Sequence, residues 1–551
     1  MGVRGLQTFL QKKVKDGIVP IKIADEVDKY KKFHNGKKPL IVIDLLTLQS
    51  SFHQSNEELI LGGRYHIYAE EFRSTMRRLK SLGVKIVFFI DGTSSEEKVP
   101  TRLERRMNGY NKGIRILSEI NSLGFPTKDS LSNINPRLPM PFLTYIASLA
   151  REFGTVHVSV LNDCDVEAAE YATRNEALAV LTNDTDYLIF EGSWHFWSST
   201  DLDIKTLTTK EFNRDALRVH LNLRSDQMAI LATLAGNDFV PSGSFQDFYA
   251  IAQSIRSHNL SVNDYEAIPS ILPRLKVYDI KASLKSYSYR ALKRKYPSNL
   301  LKMVSQADGI MNYSMLADKT VIIPMDYFDL SKTDMQPFFD LIRPLLRRVM
   351  GILLQHEGRP GIRTFFCKLQ ANSGYEKILL EPQYPRSRAK GEPSLSRLLA
   401  HREGLDTKLD ETRMKLACWA ISPMLKLDTF SQLPSKQVAC VTTLFYLVKK
   451  WQISIDEADC LLLACNMRAT ELNYVKPIKE RAARIAFLFT NTLVYIQNCF
   501  HAVGLKKFCS IVPFDGLVFH YFNKTWYFKD QKFKDEKLEP FVALRIYDTE
   551  S

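Results

Sequence analysis

Carboxylates recur in the first half of the chain where an apolar run ends or a helical run begins. Asp44 closes PLIVID and Asp91 closes VKIVFFID. Asp165 and Glu167 open the helical run CDVEAAEYA. Asp184 and Asp186 follow a strand-like run in LTNDTDYLIF, and Asp238 ends a helix-like run in LATLAGNDFVP. One Asp after a strand is ordinarily a turn former or a helix cap; a series of them in order asks for a shared role. Hydrolysis of a phosphodiester needs an activated water and neutralisation of the charge on the leaving oxygen, and two Mg2+ ions about 4 Å apart supply both. Mg2+ takes carboxylate and water oxygens, so a two-ion site needs several acids. Without cations their mutual repulsion raises their proton affinities, which makes clustered acids in a basic chain informative.

Positioning such groups is the work of strands. Four short β-branched runs, Pro39–Asp44, Val84–Asp91, Val156–Leu161 and Leu178–Thr182, alternate with helix-like stretches at Ala69–Leu82, Thr101–Glu119, Met140–Arg151 and Asp165–Arg174. This alternation predicts an α/β fold with a mostly parallel sheet flanked by helices, in which active-site groups gather at the carboxyl ends of strands. Residues 120–137, rich in Gly, Pro, Ser and Asn, read as a loop. Beyond about residue 262 long amphipathic helices take over, at Phe338–Leu354, Glu411–Leu425, Gln437–Trp451, Asp456–Arg468 and Arg481–Phe500, with Ser373–Glu392 as a linker candidate. The expected organisation is a catalytic-type domain over 1–260, with two parts joined by the loop near 120–137, a basic helical extension over 261–330, and a mostly helical C-terminal domain over 331–551.

The formal net charge of +14 divides into roughly +8, −7 and +13 over residues 1–130, 131–260 and 261–551. An acidic stretch between basic ones suits a protein that holds cations in one place and a polyanion around it. Arg102, Arg105 and Arg106 share one helical face at i, i+3 and i+4, and Lys112 and Arg115 extend the basic segment. A second segment, Arg274–Lys302, carries Lys293, Arg294 and Lys295 among nine bases and one acid, interleaved with Tyr278, Tyr287, Tyr289 and Tyr296; bases neutralise phosphates while rings stack on exposed bases of a nucleic acid. The eight cysteines form no CxxC pair, the histidines show no metal spacing, and there is no Ser/His/Asp set or P-loop. Most cysteines sit in apolar helical runs, as reduced thiols of a nuclear or cytosolic protein would. The most apolar run, Ala486–Ile496, is interrupted by Thr490, Asn491 and Thr492 and falls short of the roughly 20 residues of a membrane span, so no membrane partner is expected.

Taken together, the motifs resemble the XPG (flap-endonuclease) superfamily, which has a PIN-like nuclease domain. MGVRGLQTFL is similar to its opening, PLIVID and FFIDG to its acidic strands, CDVEA to its two-acid helix, LTNDTDYLIF to its T-x-D-x-D element and LAGNDFVP to its L-x-G-x-D element. Arg64 and Tyr65 in LGGRYH look closest to the Asteroid branch. The resemblance covers residues 1–245. It implies a structure-specific nuclease acting on DNA junctions, flaps or overhangs with two Mg2+ ions, for which Mn2+ substitutes. Asp44, Asp91, Asp165, Glu167, Asp184, Asp186 and Asp238 would be its metal ligands. It further implies Lys98 and Arg105 over the scissile phosphate, Gly2 close to the site, and nucleic-acid contacts from Arg102, Arg106 and Lys112. DNA stands ahead of RNA as the partner, the nucleus ahead of the cytoplasm, and a protein partner of the C-terminal region stays open. Two departures stand out. Asp165 is one methylene shorter than the family's usual Glu, and the glycine-rich turn that follows the last acid in the family is absent from VPSGSFQDFYAIAQSI. The alternatives are a nuclease-fold protein that has lost activity and binds RNA or serves as a scaffold, and an RNA nuclease.

Overall fold

A sheet with five parallel strands at its centre organises the acid-bearing part of the chain. In this computed structural model the described residues are 2–237 and 281–525, apart from 49–50, 53–54, 94–95, 135–139, 307–308, 356–360, 386–392, 401–403, 405, 424, 426–432, 468–471, 473–475 and 510–512. They fall into two units built from separated stretches: residues of 1–53, 70–101 and 146–295 form the first, and residues of 54–69, 102–145 and 296–551 the second.

The first unit contains β1 (Ile18–Lys22), β2 (Leu40–Asp44), β3 (Lys85–Asp91), β4 (Thr155–Ser159), β5 (Ala179–Thr182), β6 (His195–Ser198) and β7 (Thr208–Phe212), in the spatial order β1-β7-β6-β5-β2-β3-β4. The run from β6 to β4 is parallel, and β7 and β1 are antiparallel additions at one edge. β2 and β5 are buried throughout, as continuous apolar runs in a covered parallel sheet must be. Alternation sorts their side chains. Val42, Val87, Phe89 and Val180 join Val166, Ala169 and Ala172 of the helix Cys164–Arg174, and Leu231 and Leu234 of the helix Met228–Ala235, in one core. On the other face Phe88 meets Phe72, which meets Phe153. Burial of such side chains stabilises the fold by about 1.5–3 kcal/mol each. From β2 the chain proceeds to β3 and β4 on one side, then returns to β5 on the other. The switch point between β2 and β5 is where an open α/β sheet leaves a crevice at the carboxyl ends of its strands.

The second unit is largely helical. Its helix Glu480–Ala502 is buried on nearly every side, which marks the centre of a bundle. The helices Phe338–Leu354, Ser435–Lys449 and Gly516–Thr525 pack against it, and Ile455–Asn466 packs on Ser435–Lys449 and Gly516–Thr525. Beside them lies a three-stranded sheet of β8 (Val321–Ile322), β9 (Arg363–Lys368) and β10 (Tyr375–Leu380). This corrects the linker reading of Ser373–Glu392, since Tyr375 pairs with Lys368 in an antiparallel hairpin. Likewise the stretch 120–137 holds a helix, Lys128–Ile134, whose Leu131 is buried among Ile116, Leu117 and Ile120. Strand pairing in the first case and burial of Leu131 in the second outweigh turn-rich composition.

Arg64 ties two distant parts of this unit together. Its guanidinium donates to the fully buried Asp515 carboxylate, with Nη2 3.0 Å from Oδ2 and Nε 3.2 Å from each oxygen. Asp515 also accepts from the backbone N–H groups of Leu517 and Val518, which opens the helix Gly516–Thr525. Removing Asp515 leaves the buried Arg64 charge without its nearest partner, Glu58 standing farther off at 3.9 Å, and breaking such a buried pair costs about 3–5 kcal/mol. Asp515→Ala is therefore expected to lower the unfolding free energy by that amount in urea titrations followed by circular dichroism. A change under about 1 kcal/mol, the scale of an exposed pair, would contradict the assignment.

Candidate metal centre

The β2/β5 switch point explains how the acids come together. Asp44 is the last residue of β2, and its two oxygens are engaged differently. Oδ1 accepts from the N–H groups of Leu46 (3.1 Å) and Thr47 (3.4 Å), capping the short helix that follows. Oδ2 accepts from Thr182 Oγ1 (3.0 Å), at the end of the neighbouring β5. Thr182 Oγ1 in turn accepts from the Asp184 N–H (3.2 Å), so one hydroxyl fixes both strand ends. Asp184 caps the single 3-10 turn Thr185–Leu188 by accepting from the Asp186 N–H (3.1 Å). Asp91 ends β3, and Asp165 lies in the first turn of the helix Cys164–Arg174, where the helix dipole favours negative charge.

Carboxylate oxygens of Asp165, Asp184 and Asp186 all lie within 4.8 Å of one another. Asp184 and Asp186 are each only 8% exposed. Burial, then the charge of Asp91, with Asp184 adding, push Asp44 up to about 7 against its hydrogen bonds from Thr182 and Thr47. Burial, then Asp184, Asp91 and Asp44, hold Asp165 well above the usual carboxylate range, and Lys98 pulls it down. Asp44, Asp91, Asp165, Asp184 and Asp186 thus form one electrostatic group. The donor set suits a hard divalent cation such as Mg2+: clustered carboxylate oxygens, with no thiolate or imidazole in the group.

The remaining candidates are placed differently. Glu167, two residues beyond Asp165 and so about 200° around the helix, accepts from Asn162 Nδ2 at 2.7 Å; burial raises its proton affinity and this bond and one from Ser159 lower it. Asp238 lies outside the described residues. Lys98 is mostly buried and pairs with Asp163 at 2.5 Å, beside the first turn of the acid helix. Arg102, Arg105, Arg106 and Lys112 belong to the second unit, on the helix Val99–Leu123; Arg106 pairs with Asp326 at 3.5 Å and Lys112 is exposed. Gly2 has φ +81°, and a Cβ there would meet Asp184 Oδ1, Thr185 Oγ1 and the Asp186 nitrogen at 2.1–2.8 Å. Only glycine lets the backbone approach the acid turn so closely, and Thr185 Oγ1 secures it by donating to the Val3 carbonyl (3.1 Å).

The basic segment also reaches the first unit. Lys293 exchanges two backbone hydrogen bonds with the Asn162 side chain (2.7 and 2.9 Å), and Arg294 pairs with Glu170 at 3.1 Å, while the side chains of Lys293, Arg294 and Lys295 are exposed. The portion 274–280 lies outside the described residues. Sequence reasoning missed Tyr287 as a partner of the acids: its hydroxyl donates to Asp186 Oδ1 at 2.9 Å. The interleaved tyrosines were its one signal, and they read as base-stacking rings. Trp194 and Trp197 are 3% and 0% exposed and pack in the core.

No protein-family model matches the chain. It is 27% identical over 248 residues to the constitutive coactivator of peroxisome proliferator-activated receptor gamma of Bos taurus, covering 45% of this chain and 35% of that protein. The Homo sapiens and Mus musculus proteins of that name match at the same identity over the same length, covering 27% and 31% of them. The match thus spans about a third of these curated relatives. Among solved structures, the catalytic core of Rad2 in complex with DNA substrate matches at 14% identity with a TM-score of 0.34, over 57% of this chain and 94% of that one. Human GEN1 in complex with Holliday junction DNA matches at 13% identity with a TM-score of 0.30, over 71% and 90%. At these scores the likeness is loose.

The raised Asp44 has a consequence for stability. The folded state holds a proton that the unfolded chain releases near pH 4. Its contribution is therefore fully present below pH 4 and is lost as pH rises through about 7. The loss amounts to at most about 4 kcal/mol. In EDTA the melting temperature is expected to fall across this window, and Mn2+ is expected to restore it most strongly above pH 7. Asp44→Asn should melt higher than wild type in EDTA at pH 8 and gain less from Mn2+. A substitution that lowers the apo melting temperature at pH 8 would show that Asp44 is an ordinary structural cap.

Proposed function

We propose that this chain is a metal-dependent, structure-specific nuclease that hydrolyses phosphodiester bonds in DNA at junctions, flaps or overhangs. We place it in the XPG superfamily, nearest its Asteroid branch, and in the nucleus. The observation that carries this reading is the convergence of Asp165, Asp184 and Asp186 within 4.8 Å, with Asp44 and Asp91 acting on Asp165, at the switch point of a parallel sheet. A phosphodiesterase site of the two-ion type requires such a set.

In that role Asp44, Asp91, Asp165, Asp184 and Asp186 would hold the cations, with Glu167 and Asp238 as further candidates. When bound, two Mg2+ ions, or Mn2+ in their place, supply an activated water and neutralise charge on the leaving oxygen. The chain's own residues do the rest. Thr182 fixes the directions of Asp44 and Asp184, and the Gly2–Val3 backbone closes over the acid turn. Lys98 offsets the charge of Asp165. Arg105, with Arg102, Arg106 and Lys112, and the exposed Lys293, Arg294 and Lys295 are the bases that would meet a polyanion in this reading. The net charge of +14 favours such a partner.

A second reading draws on the coactivator relatives: a nuclease-fold protein of weak or no activity that binds RNA or protein partners as a scaffold. One experiment separates the two. Labelled hairpin, flap, overhang and single-stranded substrates, as DNA and as RNA, are incubated with Mg2+ or EDTA, beside an Asp184→Ala/Asp186→Ala variant. Mg2+-dependent cleavage of DNA junctions that the variant lacks is the expected result. Cleavage of RNA alone would move the substrate class, and retention without cleavage would favour the scaffold. For the phosphate clamp, Arg105→Ala is expected to slow single-turnover cleavage at least tenfold, in the range of transition-state contacts, while substrate affinity changes by less than about threefold. Equal single-turnover rates would remove Arg105 from the machinery.

A further inference from the structure

We propose that Tyr287 is a positioning residue for the metal centre: its phenolic hydroxyl, delivered by the basic segment, orients the Asp186 carboxylate toward the cation that Asp165 and Asp184 share with it. The inference rests on the reading of the acid cluster as a metal centre and deepens it.

The hydroxyl donates to Asp186 Oδ1 at 2.9 Å. A carboxylate on one short stem rotates, and a fixed donor on one oxygen sets the plane in which its remaining lone pairs point. For Asp186 that plane matters, because one of its oxygens lies within 4.8 Å of oxygens from both Asp165 and Asp184. Partners behind a metal ligand act in this way, orienting it and tuning its basicity.

Tyr287 is itself held from two directions. Its ring lies against Phe190, centroids 5.4 Å apart, in the core of the first unit. Its hydroxyl accepts from Asn237 Nδ2 at 3.3 Å; Asn237 also donates to Ser283 Oγ (2.8 Å), which bonds Thr233 Oγ1 (2.6 Å). A chain of polar groups thus runs from the helix Met228–Ala235 through Ser283, Asn237 and Tyr287 to Asp186. The far side of the segment is anchored as well. Asn162, which clamps the Lys293 backbone, donates to Glu167 from the same amide. The segment bearing Lys293–Lys295 is therefore attached to the acid cluster at Asp186 and beside it at Glu167. A packing role for Tyr287 would need only the ring; the contact to Asp186 uses the oxygen.

The test compares wild type, Tyr287→Phe, Ser283→Ala and Asp186→Asn as full chains, with Mn2+ as the probe and free Mn2+ read by electron paramagnetic resonance. Tyr287→Phe keeps the ring against Phe190 and removes the donor. It is expected to bind Mn2+ about tenfold more weakly, to melt at the wild-type temperature in EDTA, and to recover its cleavage rate as Mn2+ is raised. Ser283→Ala is expected to give a smaller loss in the same direction, since it loosens Asn237 and leaves Tyr287 in place. If Tyr287→Phe binds Mn2+ within twofold of wild type while Asp186→Asn loses binding, the positioning role is wrong and the metal centre stands. A lower melting point with unchanged Mn2+ affinity would likewise overturn it, as a structural role. If wild type shows no saturable Mn2+ binding, the metal centre falls and this inference with it.

Discussion

Like charges packed together in a low-dielectric setting repel, and the first unit is arranged around that repulsion. Asp44 and Asp165 hold protons more tightly than a carboxyl in water because burial and the neighbouring acids disfavour a second and third negative charge. A fold selected for stability alone would separate these groups or pair them with bases. Here the opposing arrangement is built with care. Thr182 bonds Asp44 and the Asp184 backbone, and Asp184 caps the turn that carries Asp186. Gly2 brings backbone to within a Cβ radius of the acids where any side chain would clash. Such local cost is characteristic of a functional site that trades stability for geometry.

The sheet topology makes that geometry attainable. Parallel strands end their carboxyl termini on one edge, and the reversal of strand order between β2 and β5 opens a crevice there. Asp44 and Thr182 stand on the two strands at that point, and Asp91 on the strand beyond. Asp165 lies in the first turn of the helix Cys164–Arg174, where the dipole favours negative charge, and Lys98 lessens the repulsion that Asp165 feels. The second unit is built on a different principle, a buried helix surrounded by others and closed by the Arg64–Asp515 pair. Arg64, which the sequence offers as a branch-level signature, thus has a structural occupation.

Legibility in the sequence followed the range of the interaction. β2, β3 and β5 were readable to within one residue because buried parallel strands are unbroken apolar runs, and the helix Phe338–Leu354 because its apolar stripe is continuous; the more exposed β4, at the edge of the sheet, was readable to within two. Asp residues at strand ends were readable because the strands were. The edge strand β1 and its neighbour β7 escaped because partly exposed strands carry Lys, Pro, Thr and Glu. β10 escaped because Gly and Pro flank it and its pairing with β9 is a tertiary fact. The helix expected at Glu411–Leu425 starts instead at Thr407, where Asp406 accepts from the Leu409 N–H; the cap sets the start and the apolar stripe does not. Tyr287 could not be found from local pattern, because the acid it touches is 101 positions away. Nor could pattern show which bases pair with acids, as Lys98, Arg106 and Arg294 do.

The central claim is that the acid cluster exists to hold divalent cations. Crystals of the protein soaked in Mn2+ and measured for anomalous scattering test it most directly, because the ion is then located without reference to any substrate or activity. Anomalous peaks are expected between Asp165, Asp184 and Asp186, with oxygens at about 2.0–2.3 Å as hard divalent ions require, and a second peak about 4 Å away on the Asp44 and Asp91 side. Crystals that take up Mn2+ elsewhere, with nothing between these carboxylates at neutral pH, would contradict it.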